Sequence, residues 1–377
     1  MDNIRLKSVV YTAWTSIALA LSACGGGDSA PPATITPNPD PPTTVTPTPD
    51  PAPAPAEPDF SAVTAAIEAH SDDNFAVLIG TVDGEVYSYT KGIFPLEEQY
   101  QIASASKWLT SSTIMRLVER GVMSLSDRPQ DYLSFWTDDV MDPRSRITLE
   151  QLLSFTSGFN QQPGSLGCTP ALTVTLQQCV EQVYADGIDT DPSSGYSYGP
   201  EHMQIAAAMA ERATGTPFAE LLVIQIAQPL GLSDATGFVS PTQLNPLASG
   251  GGASSPRDYA LFLEAMLKGE IVSDLDTFLT DRIPNTPILF RPQPSGDFGD
   301  WHYALGAFVE CDQPVFDSSC SAQMTYSSPG SFGWTPWIDR RTGYWGLIAR
   351  RGARNTAEVA VELQQELQPL IEEALTQ

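Results

Sequence analysis

The sequence predicts an α+β fold: an antiparallel sheet formed by strands from both ends of the chain, flanked by helices, with a helical region inserted between them. Three observations carry this. Runs rich in β-branched and aromatic residues occur early, from Phe75 to Thr90, and late, from Tyr303 to Arg350, while the middle of the chain reads as helices. A last amphipathic segment then brings the C-terminus back over the sheet. At 377 residues, 42% hydrophobic and with seven Trp, the chain is long enough for a sizeable core.

In chain order, a helix is expected from Phe60 to His70. Phe75-Ala-Val-Leu-Ile-Gly-Thr and Glu85-Val-Tyr-Ser-Tyr-Thr then flank Asp83-Gly84, the signature of a hairpin. Ser104 to Gly121 is apolar nearly all round and ends on a glycine, which marks a buried central helix. Further helices are expected at Thr148 to Phe155, His202 to Ala213 and Phe218 to Ala227. Another opens at Ser255-Pro256-Arg257-Asp258, with a cap, a proline at the first position and an acid at the third. Late strands are expected at Tyr303 to Glu310, Phe332 to Ile338 and Tyr344 to Arg350. The last helix carries Val359, Leu363, Leu367, Leu370, Ile371 and Ala374 on one face, with a kink expected at Pro369.

Composition removes several function classes. Against 45 Asp and Glu stand 19 Lys and Arg, a formal net charge of −26, which repels the phosphate backbone that nucleic-acid binders neutralise. The three His, at 70, 202 and 302, form no H-E-x-x-H or H-x-H pair, so neither a zinc site nor any other cofactor is expected.

The N-terminus reads as an address. Arg5 and Lys7 precede an apolar run from Val9 to Leu21, too short to span a bilayer comfortably and fitting a signal peptide over residues 1–23. Leu21-Ser22-Ala23-Cys24 resembles the lipobox of bacterial lipoproteins, which implies lipidation of Cys24 and attachment to a membrane; the alternative is an ordinary cleaved signal beside a stray Cys. Gly25 in the next position resembles outer-membrane sorting, with the protein facing the periplasm or the cell surface. Residues 24–58 hold twelve of the 32 Pro and cannot bury a core, so they read as a semi-rigid tether rising roughly 3 Å per residue. A single globular domain is expected over 59–377. Cys168, Cys179, Cys311 and Cys320 remain; in an exported protein their close spacing points to two local disulfides, although four Cys permit three connectivities and could also stay reduced.

Two S-x-x-K matches compete for the chemistry. Ser88-Tyr-Thr-Lys91 falls on an expected strand, where residues three apart point to opposite faces. Ser104-Ala-Ser-Lys107 opens a helix, where the same spacing puts hydroxyl and amine on one face and the helix N-terminus favours a developing oxyanion. Gly195-Tyr-Ser197-Tyr-Gly199 also fits a G-x-S-x-G nucleophile elbow, but the polar residues before it cannot form the buried strand that elbow needs.

Ser104-Ala-Ser-Lys107, Leu152-Leu-Ser-Phe-Thr-Ser-Gly158, Tyr198-Gly-Pro200 and Ser249-Gly-Gly-Gly-Ala-Ser-Ser-Pro-Arg-Asp258 fall in the order seen in serine β-lactamase-like hydrolases. The chain resembles that superfamily, in its class C β-lactamase and related carboxylesterase branch, from about Asp59 to the C-terminus. The resemblance implies a β-lactamase/transpeptidase-like fold with the active site between sheet and helical subdomain. By position, Ser104 resembles the nucleophile, Lys107 its partner and Tyr198 the Tyr of Y-x-N. Ser328-Pro-Gly330 stands where a basic residue, x and Gly are usual, as substrate-binding positions. The backbone N–H groups of Ser104 and Ser331 would form the oxyanion hole.

Unperturbed Lys and Tyr titrate near 10, so a base at pH 7 needs a shift of roughly three units. Burial is expected to lower Lys107, and a Lys107 cation to lower Tyr198, with the pair relaying the Ser104 proton and Tyr198 chiefly activating the hydrolytic water. Two departures bear on substrate: Pro200 has no side-chain amide, and Ser328 carries no charge to meet a carboxylate unless Arg350 or another Arg replaces it in space. The expectation is a serine hydrolase of small-molecule esters, or amides, with uncharged acyl groups. The alternatives are a β-lactamase or D-Ala peptidase, and a non-catalytic surface module that keeps the fold. Trp334 and Trp337 are expected to pack the sheet rather than line a substrate wall. His202 is expected at the surface of a helix start, and Trp301-His302 away from the cleft.

Overall fold

The structure is a computed structural model that describes residues 57–159, 168, 171–292, 301–311, 313 and 315–377. The expected signal peptide, Cys24 and the tether up to residue 56 lie outside the described residues. Among those described, no helix is long and apolar enough to cross a membrane.

A seven-stranded sheet organises residues 56–377, which form one unit. Its strands run, edge to edge, Gly84–Lys91, Phe75–Thr81, Tyr344–Arg350, Thr335–Asp339, Thr325–Ser327, Phe308–Val309 and His302–Tyr303. Every pairing in it is antiparallel, and the centre joins the two ends of the chain, with Phe75 opposite Arg350 and Thr81 opposite Tyr344. The Asp83-Gly84 hairpin forms where the sequence predicts it.

Strand alternation separates two cores. Phe75, Val77, Ile79, Trp337, Tyr344 and Ile348 face the helices Ser61–Ala69 and Ala357–Thr376, whose Val63, Ile67, Leu363, Leu367 and Ile371 cover that side. Ala76, Leu78, Trp345, Leu347 and Ala349 face the opposite way, into the larger core under the helical region. Trp334 and Trp337 are both fully buried, one in each core, so both pack the sheet.

In the helical region, Ser106–Glu119 is the central helix, and Leu149–Leu153, Glu201–Thr214 and Pro256–Leu267 surround it. Thr148 caps the second through a capping box with Gln151, and Ser255 caps the last by accepting from the Asp258 N–H. The helix Leu176–Asp186 and the strand Thr325–Ser327 were not expected. Tyr303 to Glu310 is not one strand: Gly306, at φ +85°, turns His302–Tyr303 back on Phe308–Val309. A side chain at Gly306 would strike Ser111 and the Lys107 carbonyl, so this turn docks on the central helix. The strand expected from Phe332 begins only at Thr335, because Gly330 to Gly333 form a tight turn closed by Gly333 N–H to Gly330 O, 2.8 Å. Cys168 joins Cys179 and Cys311 joins Cys320.

Candidate active site

The two S-x-x-K matches part as their elements dictate. Lys91 lies on the strand Gly84–Lys91 and donates to the carbonyls of Glu68 and His70, closing the end of the first helix. Ser104 sits in a 3₁₀ turn, Ala103–Ala105, that leads straight into the helix carrying Lys107. Ala103 holds φ at +46°, a conformation that costs a residue with a Cβ and that aims the following Ser. Ser106 Oγ fixes the turn, donating to Ala103 O at 2.6 Å and accepting from Gly252 N–H at 2.9 Å.

Lys107 Nζ lies 3.0 Å from Ser104 Oγ and 2.7 Å from the carbonyl oxygen of Ser249. It also stands 4.5 Å from the centre of the Tyr198 ring. Lys107 is buried without a carboxylate, and burial alone pulls its pKa down to about 7. An ammonium here loses water and gains one carbonyl in return, so the neutral amine is favoured.

Tyr198 enters from the far side, on a turn between the two-residue strand Tyr196–Ser197 and the helix Glu201–Thr214. Its N–H donates to Phe290 O at 3.1 Å, and its ring lies among Phe155, Tyr303 and Phe308 at 5.2, 6.2 and 5.9 Å between centres. The Ser104 hydroxyl near it favours the phenolate slightly, but burial dominates and pushes the Tyr198 pKa up. This is opposite to the direction expected from the sequence. A Lys107 cation beside the ring would lower it, but the desolvation of Tyr198 itself outweighs that effect.

On the third side, Ser328 is buried and donates from Oγ to the carbonyl of Ser104 itself, at 3.2 Å. Gly330 permits close approach: a Cβ there would meet Ile102 O at 2.2 Å, so only glycine lets the Ser328–Ser331 turn lie against the segment that leads into Ser104. Among the described residues no backbone carbonyl accepts from the Ser331 N–H.

Arg350 cannot replace the missing cation. Its guanidinium is committed to Asp72 at 2.5 Å, Thr356 at 2.7 Å and Phe332 O at 3.3 Å. Trp301 is buried and donates to Cys311 O, while His302 pairs with Asp281 and stacks on Phe316. Pro200 caps the helix Glu201–Thr214 without a side-chain hydrogen bond.

His202 is not at the surface. It is fully buried, with Nδ1 2.8 Å from Ser157 Oγ and Nε2 2.9 Å from Ser197 O, because the Tyr198 turn folds back under Phe155. Burial lowers its pKa to about 3. Beside it, Glu201 is buried with Oε2 unpartnered, and desolvation, with Asp189 and Asp186 nearby, raises its pKa to about 8. Sequence reasoning missed the Ser249 carbonyl, the Ser157 and His202 pair, and Glu201. The one local signal was the density of polar residues in otherwise buried segments. Among the described residues no group of His, Cys, Asp and Glu is placed to hold a metal.

A family model described as Beta-lactamase matches residues 65–360. The D-alanyl-D-alanine-carboxypeptidase/endopeptidase AmpH of Escherichia coli (strain K12) is 26% identical over 194 residues, 46% of this chain and 50% of that protein. Esterase EstB of Burkholderia gladioli is 29% identical over 160 residues, 39% of this chain and 40% of that protein. This chain thus spans about half the length, or less, of the curated relatives it matches. In fold it is similar to the octameric penicillin-binding protein homologue from Pyrococcus abyssi, with a TM-score of 0.61 and 20% identity over 82% of this chain and 76% of that one.

Proposed function

We propose that this chain, which belongs to the Beta-lactamase family of serine hydrolases, is a carboxylesterase-like enzyme that cleaves esters, or amides, of uncharged acyl groups through an acyl-enzyme on Ser104. One observation carries the reading: a serine hydroxyl 3.0 Å from a lysine amine whose pKa is about 7. At neutral pH a large fraction of Lys107 is unprotonated and able to accept the Ser104 proton. Ser104 Oγ then attacks the substrate carbonyl, and the oxyanion is met by the N–H groups of Ser104 and Ser331. The proton held on Lys107 passes to the leaving alcohol or amine as the acyl bond breaks. Water repeats the sequence on the acyl-enzyme, giving the free acid and regenerating Ser104. Tyr198, held protonated by burial, serves as a relay that gives one proton as it takes another rather than as a standing phenolate.

Substrate class rests on what faces the nucleophile. Ser328 offers a hydroxyl, already engaged with Ser104 O, and Arg350 is tied to Asp72, so neither supplies the cation that a β-lactam or D-Ala-D-Ala carboxylate calls for. A net charge of −26 adds a general field against anionic substrates. The test is turnover of short p-nitrophenyl esters and of nitrocefin by wild type and Ser104→Ala. Ester turnover lost in the variant supports the reading, and turnover unchanged in it refutes it. Efficient nitrocefin hydrolysis would instead favour a β-lactamase.

The proposal extends to location: a leader over 1–23, a lipid on Cys24 and a Pro-rich tether would hold the domain off a membrane, with the outer membrane as the destination. Cys24→Ser is expected to move the protein from the membrane to the soluble fraction of cells; unchanged membrane association contradicts the anchor.

A further inference from the structure

We infer that His202 is a positioning residue for Tyr198, the second point of a buried latch that runs from Ser157 through the imidazole to the carbonyl of Ser197. The inference rests on the role given to Tyr198 above and adds the group that places it.

The turn that delivers Tyr198 is short of ordinary fastenings. Its strand is two residues long, and Pro200, two positions after Tyr198, has neither a backbone N–H nor a side-chain amide. Ser197 N–H and Tyr198 N–H are held by Phe155 O and Phe290 O, at 3.0 and 3.1 Å. The Ser197 carbonyl, which immediately precedes the Tyr198 N–H, is held by His202 reaching back from the first turn of the next helix.

The chemistry of the partners fixes the tautomer. A carbonyl only accepts, so with the Ser197 carbonyl on Nε2 that nitrogen carries the hydrogen and Nδ1 accepts from the Ser157 hydroxyl; the backbone of Phe159 is a further neighbour of the ring. Both side chains are fully buried, so neither meets substrate, and the depressed pKa of about 3 keeps the ring neutral through the range in which Lys107 titrates. The latch therefore holds one geometry throughout the working range. The imidazole also stacks on Phe155 at 4.8 Å, and Phe155 meets the Tyr198 ring edge to face at 5.2 Å. One residue thus supports both the backbone ahead of Tyr198 and the ring that Tyr198 leans on. A misplacement of about 1 Å in a relay group is enough to slow the chemical step without weakening binding.

A double-mutant cycle separates positioning from mere packing. Steady-state hydrolysis of p-nitrophenyl butyrate is measured for wild type, His202→Phe, His202→Gln, Tyr198→Phe and the Tyr198→Phe/His202→Phe double variant, each normalised to Ser104 labelled by a fluorophosphonate. We expect His202→Phe to lower kcat by roughly 10- to 100-fold with KM within about twofold. His202→Gln, which keeps an N–H toward Ser197 O, should recover most of that loss. In the Tyr198→Phe background, His202→Phe should cost less than about threefold, since a group that acts through Tyr198 has little left to place. Ser157→Ala, which breaks the latch from outside the helix, should show the same pattern at smaller size and replaces His202→Phe if that variant does not fold. Equal losses in both backgrounds, or no recovery in His202→Gln, overturn the inference while leaving the Ser104 and Tyr198 assignment standing. A Tyr198→Phe enzyme with unchanged kcat overturns both.

Discussion

The two faces of the seven-stranded sheet differ in how they partner the polar groups they bury. Behind it, Val77, Ile79, Trp337, Ile348 and the apolar stripes of the two terminal helices meet as an aliphatic and aromatic core. In front, the central helix buries Ser106, Lys107, Thr110, Ser111, Ser112 and Thr113 in succession. Several of those hydroxyls satisfy themselves on nearby carbonyls: Thr110 on Ala248 O, Ser111 on Lys107 O and Thr113 on Leu109 O. Among the described residues Lys107 has only Ser249 O and Ser104 as hydrogen-bond partners, and Glu201 keeps an oxygen without one. Against the C-terminal helix the buried Glu310 carboxyl, also raised by desolvation, has one oxygen held by Gln364 and the other by Gln368, whereas the front leaves Glu201 an unpartnered oxygen among the described residues and Lys107 a lowered pKa beside Ser104.

That contrast predicts mutations with opposite signatures. The largest effect is expected from Lys107→Met, which should lower ester turnover by about 10³-fold or more, since the general base is gone. The same change should not destabilise the fold and should raise Tm, because a shift from 10.5 to about 7 means the buried amine resists its charge by roughly 5 kcal/mol relative to water. Thermal unfolding beside kinetics checks both halves, and a lower Tm would break the comparison.

Leu367→Ala, in the rear core, should do the reverse. A fully buried leucine costs about 2–5 kcal/mol to truncate, so the denaturation midpoint should fall while kcat per folded molecule stays unchanged. A comparable loss of kcat would mean that the two faces are coupled.

Glu201→Gln sharpens the distinction within the front face. A carboxyl raised from 4.5 to about 8 on folding binds a proton in the native state that the unfolded chain releases, so native stability declines as pH rises from about 4.5 to 8. Glutamine removes that linkage. The variant should gain on the order of 1–3 kcal/mol over wild type at pH 8 and little at pH 5, measured by urea unfolding at both values. An equal change at both pH values would show that the charge is not the cause.

Much of this was legible in the sequence. The helix spacing of Ser104 and Lys107, the Asp83-Gly84 hairpin and the Thr148 and Ser255 caps are local signals, and local rules carry them. The order of motifs indicated the family. What escaped depends on distant contacts. The break at Gly306 follows from docking on the central helix, and the late start of Thr335–Asp339 from the Gly330 turn against Ile102. His202 looked exposed because a helix start usually is, and nothing local reveals that Phe155, with φ at +61°, turns its ring over the imidazole. The Tyr198 pKa was misjudged for a related reason: its direction is set by the burial of Tyr198 itself, which tertiary packing decides.

The central claim is that a neutral Lys107 activates Ser104. The rate at which a fluorophosphonate labels Ser104, followed by mass spectrometry from pH 5 to 9, tests it most directly. The account predicts a single rise with a midpoint near 7, as Lys107 loses its proton, and no label on Ser104→Ala. A rate independent of pH across that range, or label carried by another residue, would contradict it.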